Sequence, residues 1–363
     1  MAKHSPCIMI MAGGTGGHIY PALAVARCLQ AQNIRTVWLG SKHGLENRII
    51  PEQGIKLIRV FVSGLRGGSA MRWLAAPFIL FIALLQSLKA MLTERPSAVL
   101  GMGGFASGPG GIAAWISRTP LIIHEQNARA GSTNKILSRF ASKVFQAFPD
   151  TFKQVDAITV GNPVREEIAA LTDLPLRKSE SEGLNLLILG GSRGARYINN
   201  HVPDVLTSLS TQTAEPKLRV KHQCGDSDIE TTRALYNHSR IEAEVVPFIE
   251  DMAAAYRWAD LIICRAGAMT ISELAAAGRA SVLIPFPYAT DDHQTLNAKY
   301  LVEHDAAVLM PQGDDFDQRL TAALGALFDK PCRLTQMGRK AHELAITDAA
   351  QRVARRCLEL ANV

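Results

Sequence analysis

The sequence predicts an α/β protein built from two doubly wound, Rossmann-like domains facing a cleft. Three observations carry the prediction. A glycine-rich loop, Gly13-Gly14-Thr15-Gly16-Gly17-His18, follows the apolar run Cys7–Met11. A second loop of the same design, Gly190-Gly191-Ser192-Arg193-Gly194, follows Leu186–Leu189, 177 residues further on. Strand-like and helical runs alternate along the whole chain. A strand, a tight glycine turn and a helix, written twice in 363 residues, suits two domains rather than one core.

In the first half, strand-like runs are Ile8–Met11, Thr36–Leu39, Leu57–Val62, Ala98–Leu100, Leu121–His124, Val144–Ala147 and Ile158–Val160. In the second they are Leu186–Leu189, Arg219–Gln223, Glu244–Pro247, Leu261–Cys264, Ser281–Pro285 and Ala307–Met310. Helical runs between them imply parallel sheets with right-handed crossovers, whose loops at the strand C-terminal ends point into the cleft. Gly161-Asn162-Pro163 reads as the hinge, giving domains 1–161 and 164–347. Two closing helices are expected over roughly Leu334–Ile346 and Asp348–Ala361.

The net charge of +6 conceals an asymmetry. Residues 1–161 hold 17 Lys+Arg against 6 Asp+Glu, a net of +11, and residues 162–363 hold 22 against 27, a net of −5. A basic first domain calls for an anionic partner: a membrane surface or a phosphorylated substrate. Aromatics are only 6% and no nucleic-acid module is present, so no nucleic acid is expected. Six scattered cysteines with no CxxC pair argue against disulfides or a zinc site. Asp291 and Asp292 are adjacent acids without further ligands, a poor metal pair, so no metal and no cofactor are expected.

From Trp73 to Leu88, sixteen residues carry no charge, and Arg66, Arg72, Lys89 and Arg95 flank them. The run is short of the roughly 20 residues a spanning helix needs and contains Pro77. Two readings stand: a crossover helix buried on its sheet, or a surface patch of Trp73, Phe78, Ile79, Phe81, Ile82 and Leu85 that dips into a bilayer.

Four polar segments sit at strand ends. Gly13–Gly17 frees backbone N–H groups for a phosphate, and His18 at its end is a candidate base. Gly103, Gly104 and Ser107 lie in a second glycine loop, which with Gly14 can cradle a diphosphate; close packing is the alternative use of these glycines. His124-Glu125-Gln126-Asn127 places titratable and amide groups at the next strand end, as a reactive cluster or a helix cap. In the second domain, a helix starts near Ala268, Met269 and Thr270, and Glu273 is placed to accept from a ribose diol. Thr270 and Glu273 also have capping-box spacing.

Together GGTGGHIYPALAVA, GMGGFASGP, HEQN, VGNPVR, GGSRGA, FIEDMAAAY, CRAGAMTISELAAAG and DDHQTLNA resemble glycosyltransferase family 28 from about residue 6 to about residue 355. The resemblance implies the glycosyltransferase B-type fold, with the last helix (348–363) crossing back to the first domain. It implies an inverting transfer of GlcNAc from UDP-GlcNAc to the muramyl 4-hydroxyl of undecaprenyl-diphospho-MurNAc-pentapeptide. The product would be lipid II, formed on the cytoplasmic face of the inner membrane during peptidoglycan synthesis. By the same resemblance UDP-GlcNAc is held by Ser192, Ile249, Ala268, Met269, Thr270, Ile271, Ser272, Glu273, Gln294 and Arg165. Thr15, Gly16, Gly17 and Asn127 contribute from across the cleft. His18 leads as the base, with Glu125 and His124 behind it. Arg193 stands where the family often has glutamine. Two alternatives share the fold: a UDP-GlcNAc 2-epimerase and a non-catalytic nucleotide-sugar-binding protein.

Overall fold

The computed structural model describes residues 6–62, 70–173, 183–190, 195–212, 217–237, 239 and 241–362, with backbone only for 70–74, 172–173 and 212. The chain divides into two compact units, Met1–Arg165 with Ile346–Val363, and Glu166–Ala345.

Unit 1 holds strands β1 (Cys7–Met11), β2 (Arg35–Ser41), β3 (Lys56–Val60), β4 (Ala98–Gly101), β5 (Leu121–Glu125), β6 (Lys143–Gln146) and β7 (Ala157–Thr159). They form one parallel sheet in the order β3-β2-β1-β4-β5-β6-β7. Unit 2 holds β8 (Leu184–Leu189), β9 (Leu218–Gln223), β10 (Glu242–Val246), β11 (Leu261–Cys264), β12 (Ala280–Leu283) and β13 (Ala307–Leu309), in the order β10-β9-β8-β11-β12-β13. All thirteen expected strands are present, and both sheets are doubly wound. In each, strand order reverses beside its first strand, between β1 and β4 and between β8 and β11. Ligands of such sheets bind at the strand C-terminal ends beside this reversal.

A central parallel strand is covered on both faces, which explains why β1 is apolar at every position. Ile8 and Ile10 pack with Ile19, Leu23 and Trp38 on one face, where Val353, Ala354 and Cys357 of the helix Ala349–Leu360 join the same core. Cys7, Met9 and Met11 pack with Ala83, Ala90, Ala113 and Ala114 on the other. Unit 2 buries Leu186, Ile188, Leu261, Ile263 and Val282 with Ile198, Leu320 and Leu324.

Two expectations need correction. Gly161-Asn162-Pro163 is not a free hinge but part of unit 1's packing. The Gly161 carbonyl accepts from His124 Nε2 at 2.9 Å, and the Asn162 amide donates to the Gln126 carbonyl at 3.0 Å. A Cβ on Gly161 (φ +78°) would lie 2.6 Å from that of Ile346. The units therefore divide after Arg165.

The uncharged run is longer in space than in sequence. It lies within a 25-residue helix, Ala70–Glu94, and length alone does not exclude spanning. Docking does. The small residues Ala76, Ala83, Ser87 and Ala90 are buried, so this face packs on the domain, beside the helix Ser107–Ile116. Glu94 is buried at the helix end and paired with Arg35 (2.8 Å) and Lys56 (2.7 Å), which hold its carboxyl below the usual range. The large apolar side chains point outward instead: Phe78 is 73% exposed and Phe81 60%, with Ile82 and Leu85 exposed beside them. Ile79 is only partly exposed, and the side chain of Trp73 lies outside the described residues. Leaving a phenylalanine in water forgoes about 1.5–3 kcal/mol of burial. This outward row is thus an inverted amphipathic pattern, not a buried crossover.

Candidate active site

In unit 1 the two glycine loops follow β1 and β4, the strands on either side of the reversal. Their glycines are needed for contact between the loops. A Cβ on Gly104 (φ +85°) would overlap the Gly13 carbonyl oxygen, and one on Gly103 (φ +94°) would lie 2.9 Å from His18 Cε1 and Nδ1. Only glycine adopts this backbone cheaply while admitting a neighbour so close. Gly14 N–H donates to the buried Glu46 carboxylate at 3.1 Å, and Ser41 donates to the same group through its N–H (2.9 Å) and hydroxyl (2.6 Å). Glu46 thus pins the loop to the end of β2.

The helix Gly16–Gln30 begins directly from this loop. Its N-cap, Thr15, is extended and makes no side-chain capping bond. The first-turn N–H groups of Gly16 and Gly17 therefore have no acceptor within the helix, and the helix dipole adds positive potential there. Thr15 and Gly17 are exposed, while Gly16 and His18 are partly so. Ser107 is fully buried, and its hydroxyl lies 2.7 Å from the Gly103 carbonyl and 3.0 Å from that of Met11, which shapes the loop.

His18 stands in a chain of polar contacts. Its Nδ1 lies 2.7 Å from Gln126 Oε1, Gln126 Nε2 lies 3.1 Å from His124 Nδ1, and His124 Nε2 lies 2.9 Å from the Gly161 carbonyl. His124 is fully buried, which pushes its pKa down to about 4 and keeps the ring neutral. Glu125 is also buried, and its carboxylate accepts from Asn127 N–H (3.1 Å) and Nδ2 (3.3 Å), Gly131 N–H (3.0 Å) and Asn134 Nδ2 (2.9 Å). Both residues were candidate bases on sequence grounds. Neither offers a nitrogen or oxygen to an incoming hydroxyl, because internal donors and acceptors already use them. Of the three candidates, His18 alone is partly exposed.

In unit 2 the helix Ala268–Ala277 follows β11 with Gly267 as its extended N-cap. That decides between the two readings of Thr270 and Glu273. Thr270 is the third helical residue, so it is not the cap of a capping box. Glu273, one turn on, is largely buried and accepts from the Tyr256 hydroxyl at 3.1 Å. Met269 and Thr270 have first-turn N–H groups and are partly exposed. The Ile271 side chain is fully buried and its N–H bonds the Gly267 carbonyl. Ser272 donates to the Ala268 carbonyl within the helix. Ala268 and Ile249 are buried, with little surface to offer a ligand. Gln294 Oε1 accepts from Phe286 N–H at 2.9 Å and thereby steadies the loop after β12. Arg165 is partly exposed and falls with unit 1. Ser192 lies outside the described residues, as do Gly191, Arg193 and Gly194. Among the described residues no group of three or more His, Cys, Asp or Glu is placed to hold a metal. Asp291 and Asp292 are exposed, both with positive φ.

Glu46 had no role on sequence grounds, and Gln126, Tyr256 and Arg265 lay inside quoted motifs without a role of their own. Arg265 donates to the Ile284 and Pro285 carbonyls (3.2 and 3.1 Å) and lies over the Phe286 ring; burial lowers its pKa. Gln126 sits inside the HEQN motif, and Arg265 at the head of CRAGAMTISE, so position at a strand end was the available signal.

Two Rossmann-like units, each with an uncapped helix start at its sheet reversal, are the architecture of the glycosyltransferase B-type fold. The chain belongs to glycosyltransferase family 28: the family's N-terminal domain model matches residues 8–146 and its C-terminal domain model residues 185–353. It is 48% identical to the UDP-N-acetylglucosamine–N-acetylmuramyl-(pentapeptide) pyrophosphoryl-undecaprenol N-acetylglucosamine transferase of Nitrosococcus oceani, over 98% of this chain and 99% of that one. The crystal structure of Acinetobacter baumannii MurG superposes with a TM-score of 0.85 at 40% identity, covering 98% of this chain and 99% of that one. UDP-GlcNAc 2-epimerase from Neisseria meningitidis, crystallised with UDP-GlcNAc, shares the fold alone (TM-score 0.66, 12% identity, 98% and 100% covered).

Proposed function

We propose that this protein transfers GlcNAc from UDP-GlcNAc to the muramyl 4-hydroxyl of undecaprenyl-diphospho-MurNAc-pentapeptide, with inversion, making lipid II. The observation that carries the reading is the near-full-length similarity to an enzyme whose name states the donor, the acceptor and the transferred sugar. The partly exposed imidazole of His18, at the start of an uncapped helix, supports it. Unit 2 binds the donor: the helix start at Met269 and Thr270 takes the diphosphate and Glu273 the ribose diol. Unit 1 binds the acceptor's diphosphate at the glycine loops that hold Gly14, Gly103 and Gly104, and His18 takes the proton. Charge developing on departing UDP is stabilised by fixed helix N–H groups and Arg165.

The test is incubation with UDP-GlcNAc and a lipid I analogue, followed by mass spectrometry. The expected result is an acceptor heavier by one N-acetylhexosamine, with UDP released. Formation of UDP-ManNAc with no acceptor present would put the epimerase in its place.

The acceptor's polyprenyl chain stays in a bilayer, so the enzyme must work at the membrane. We infer a peripheral attachment to the cytoplasmic face of the inner membrane through Phe78, Phe81, Ile82 and Leu85. Exposed Lys89 and Arg95 close by each add roughly 1 kcal/mol on anionic lipid. Trp115 and Ile116, on the neighbouring helix, are exposed as well. Vesicles containing anionic lipid should sediment the protein, less so in high salt. Replacing Phe78, Phe81 and Leu85 with serine should release it without changing donor binding or melting temperature. Unchanged sedimentation of a folded triple variant would rule the patch out.

A further inference from the structure

We infer that Gln126 is a positioning residue whose side-chain amide holds His18 in the tautomer that leaves Nε2 free to take the acceptor's proton. The inference rests on His18 being the base. It starts from the far end of the polar chain, where the proton positions are forced. The Gly161 carbonyl can only accept, so His124 Nε2, 2.9 Å away, carries the hydrogen. In a neutral ring the other nitrogen, His124 Nδ1, is then an acceptor. Burial keeps that ring neutral, with its pKa near 4.

The amide of Gln126 is oriented by two acceptors at once. One end lies 3.1 Å from His124 Nδ1 and 3.1 Å from the His124 backbone carbonyl. Only an NH2 group satisfies both, so that end is Nε2. The opposite end is therefore a carbonyl oxygen, and it lies 2.7 Å from His18 Nδ1. An oxygen that only accepts demands a hydrogen on His18 Nδ1. Neutral His18 then carries its lone pair on Nε2. Gln126 is buried, and its backbone carbonyl is tied to Asn162, so the amide has little freedom to turn. Gly103 closes the ring from its other side, with no room for a Cβ.

The chemical consequence is specific. As the acceptor oxygen bonds to the anomeric carbon, the C–O bond to UDP breaks and its electron pair leaves with UDP. The hydroxyl proton passes to His18 Nε2, and the resulting imidazolium keeps its Nδ1–H bond to Gln126. A neutral amide orients the ring without a charge that would load it with a proton beforehand. A carboxylate at this place would do both, as neighbouring negative charge raises an imidazole's pKa.

The experiment begins with the wild-type chain labelled with 15N-histidine, in long-range 1H–15N correlation spectra at a pH where the ring is neutral. His18, assigned by the signal lost in His18→Ala, should carry its hydrogen on Nδ1; finding it on Nε2 would overturn the inference whatever the role of His18. Gln126→Leu should lose that preference and lower kcat about 10- to 100-fold, with the Michaelis constant for UDP-GlcNAc unchanged. Gln126→Glu keeps an acceptor for Nδ1–H, so it should regain part of the rate. The acid limb of its pH–kcat profile should move to higher pH, because a ring of raised pKa is protonated, and lost as a base, at higher pH. A folded Gln126→Leu variant with wild-type kcat would sink the positioning role. Wild-type kcat in His18→Ala would instead remove the base reading, while the tautomer measurement still stands alone. If Gln126→Leu fails to fold, the wild-type spectrum decides.

Discussion

His18→Ala is expected to lower turnover about a hundredfold or more, the range typical of losing a positioned general base, with the Michaelis constant for UDP-GlcNAc little changed. The expectation follows from the competition for hydrogen bonds around the ring. His124 and Glu125, the other titratable groups at this sheet edge, are buried and committed to internal partners. Neither can replace the missing imidazole without breaking the loop that holds it. The defect should therefore fall on kcat and kcat/KM alike, as it does when an interaction made only in the transition state is removed. Steady-state kinetics with varied donor and acceptor measure it. Near-normal turnover in a folded variant would show that the acceptor loses its proton to water or to the leaving group.

Glu273→Ala should show the opposite split: a donor Michaelis constant raised about 10- to 150-fold and a smaller change in kcat. A hydrogen bond to a charged group contributes about 1.5–3 kcal/mol, and a ribose diol would lose its carboxylate acceptor. The alternative role, closing a helix end, is excluded by Gly267 being the N-cap. Tyr256→Phe is the control. It removes the hydroxyl that donates to Glu273 Oε2 and keeps the ring, so donor affinity should change much less. Calorimetric titration of UDP-GlcNAc distinguishes the two. Wild-type affinity in Glu273→Ala would leave the carboxylate a purely structural partner of Tyr256.

The division between legible and hidden features runs through particular residues. Periodicity and glycine punctuation located all thirteen strands because each is a short apolar run bounded by turn residues, a local property. Position after a strand also marked Gly13–Gly17, HEQN and the Ala268 helix as sites, since every loop at that end of a parallel sheet lies on the same side. What each polar residue does there was not local. His18 and Gln126 are 108 residues apart in sequence, and their contact commits one nitrogen of the ring. Glu46, 32 residues from Gly14, holds the first loop and carries no motif of its own.

The sequence by itself determined the fold class, the two-part organisation, the family, and the charge asymmetry that makes the first half basic. Hydrophobic alternation, loop glycines and charge counts are written residue by residue, and long motifs in fixed order leave few alternatives. The tertiary structure alone decided which candidates are buried and which are open. Ser107, Ile271, His124 and Glu125 are buried, and His18 retains a partly exposed ring. It also decided which side of the uncharged helix faces water. When every residue in a run is apolar, composition cannot say which face packs. The clearance over the sheet chose the small side chains Ala76, Ala83, Ser87 and Ala90, and left Phe78 and Phe81 outside.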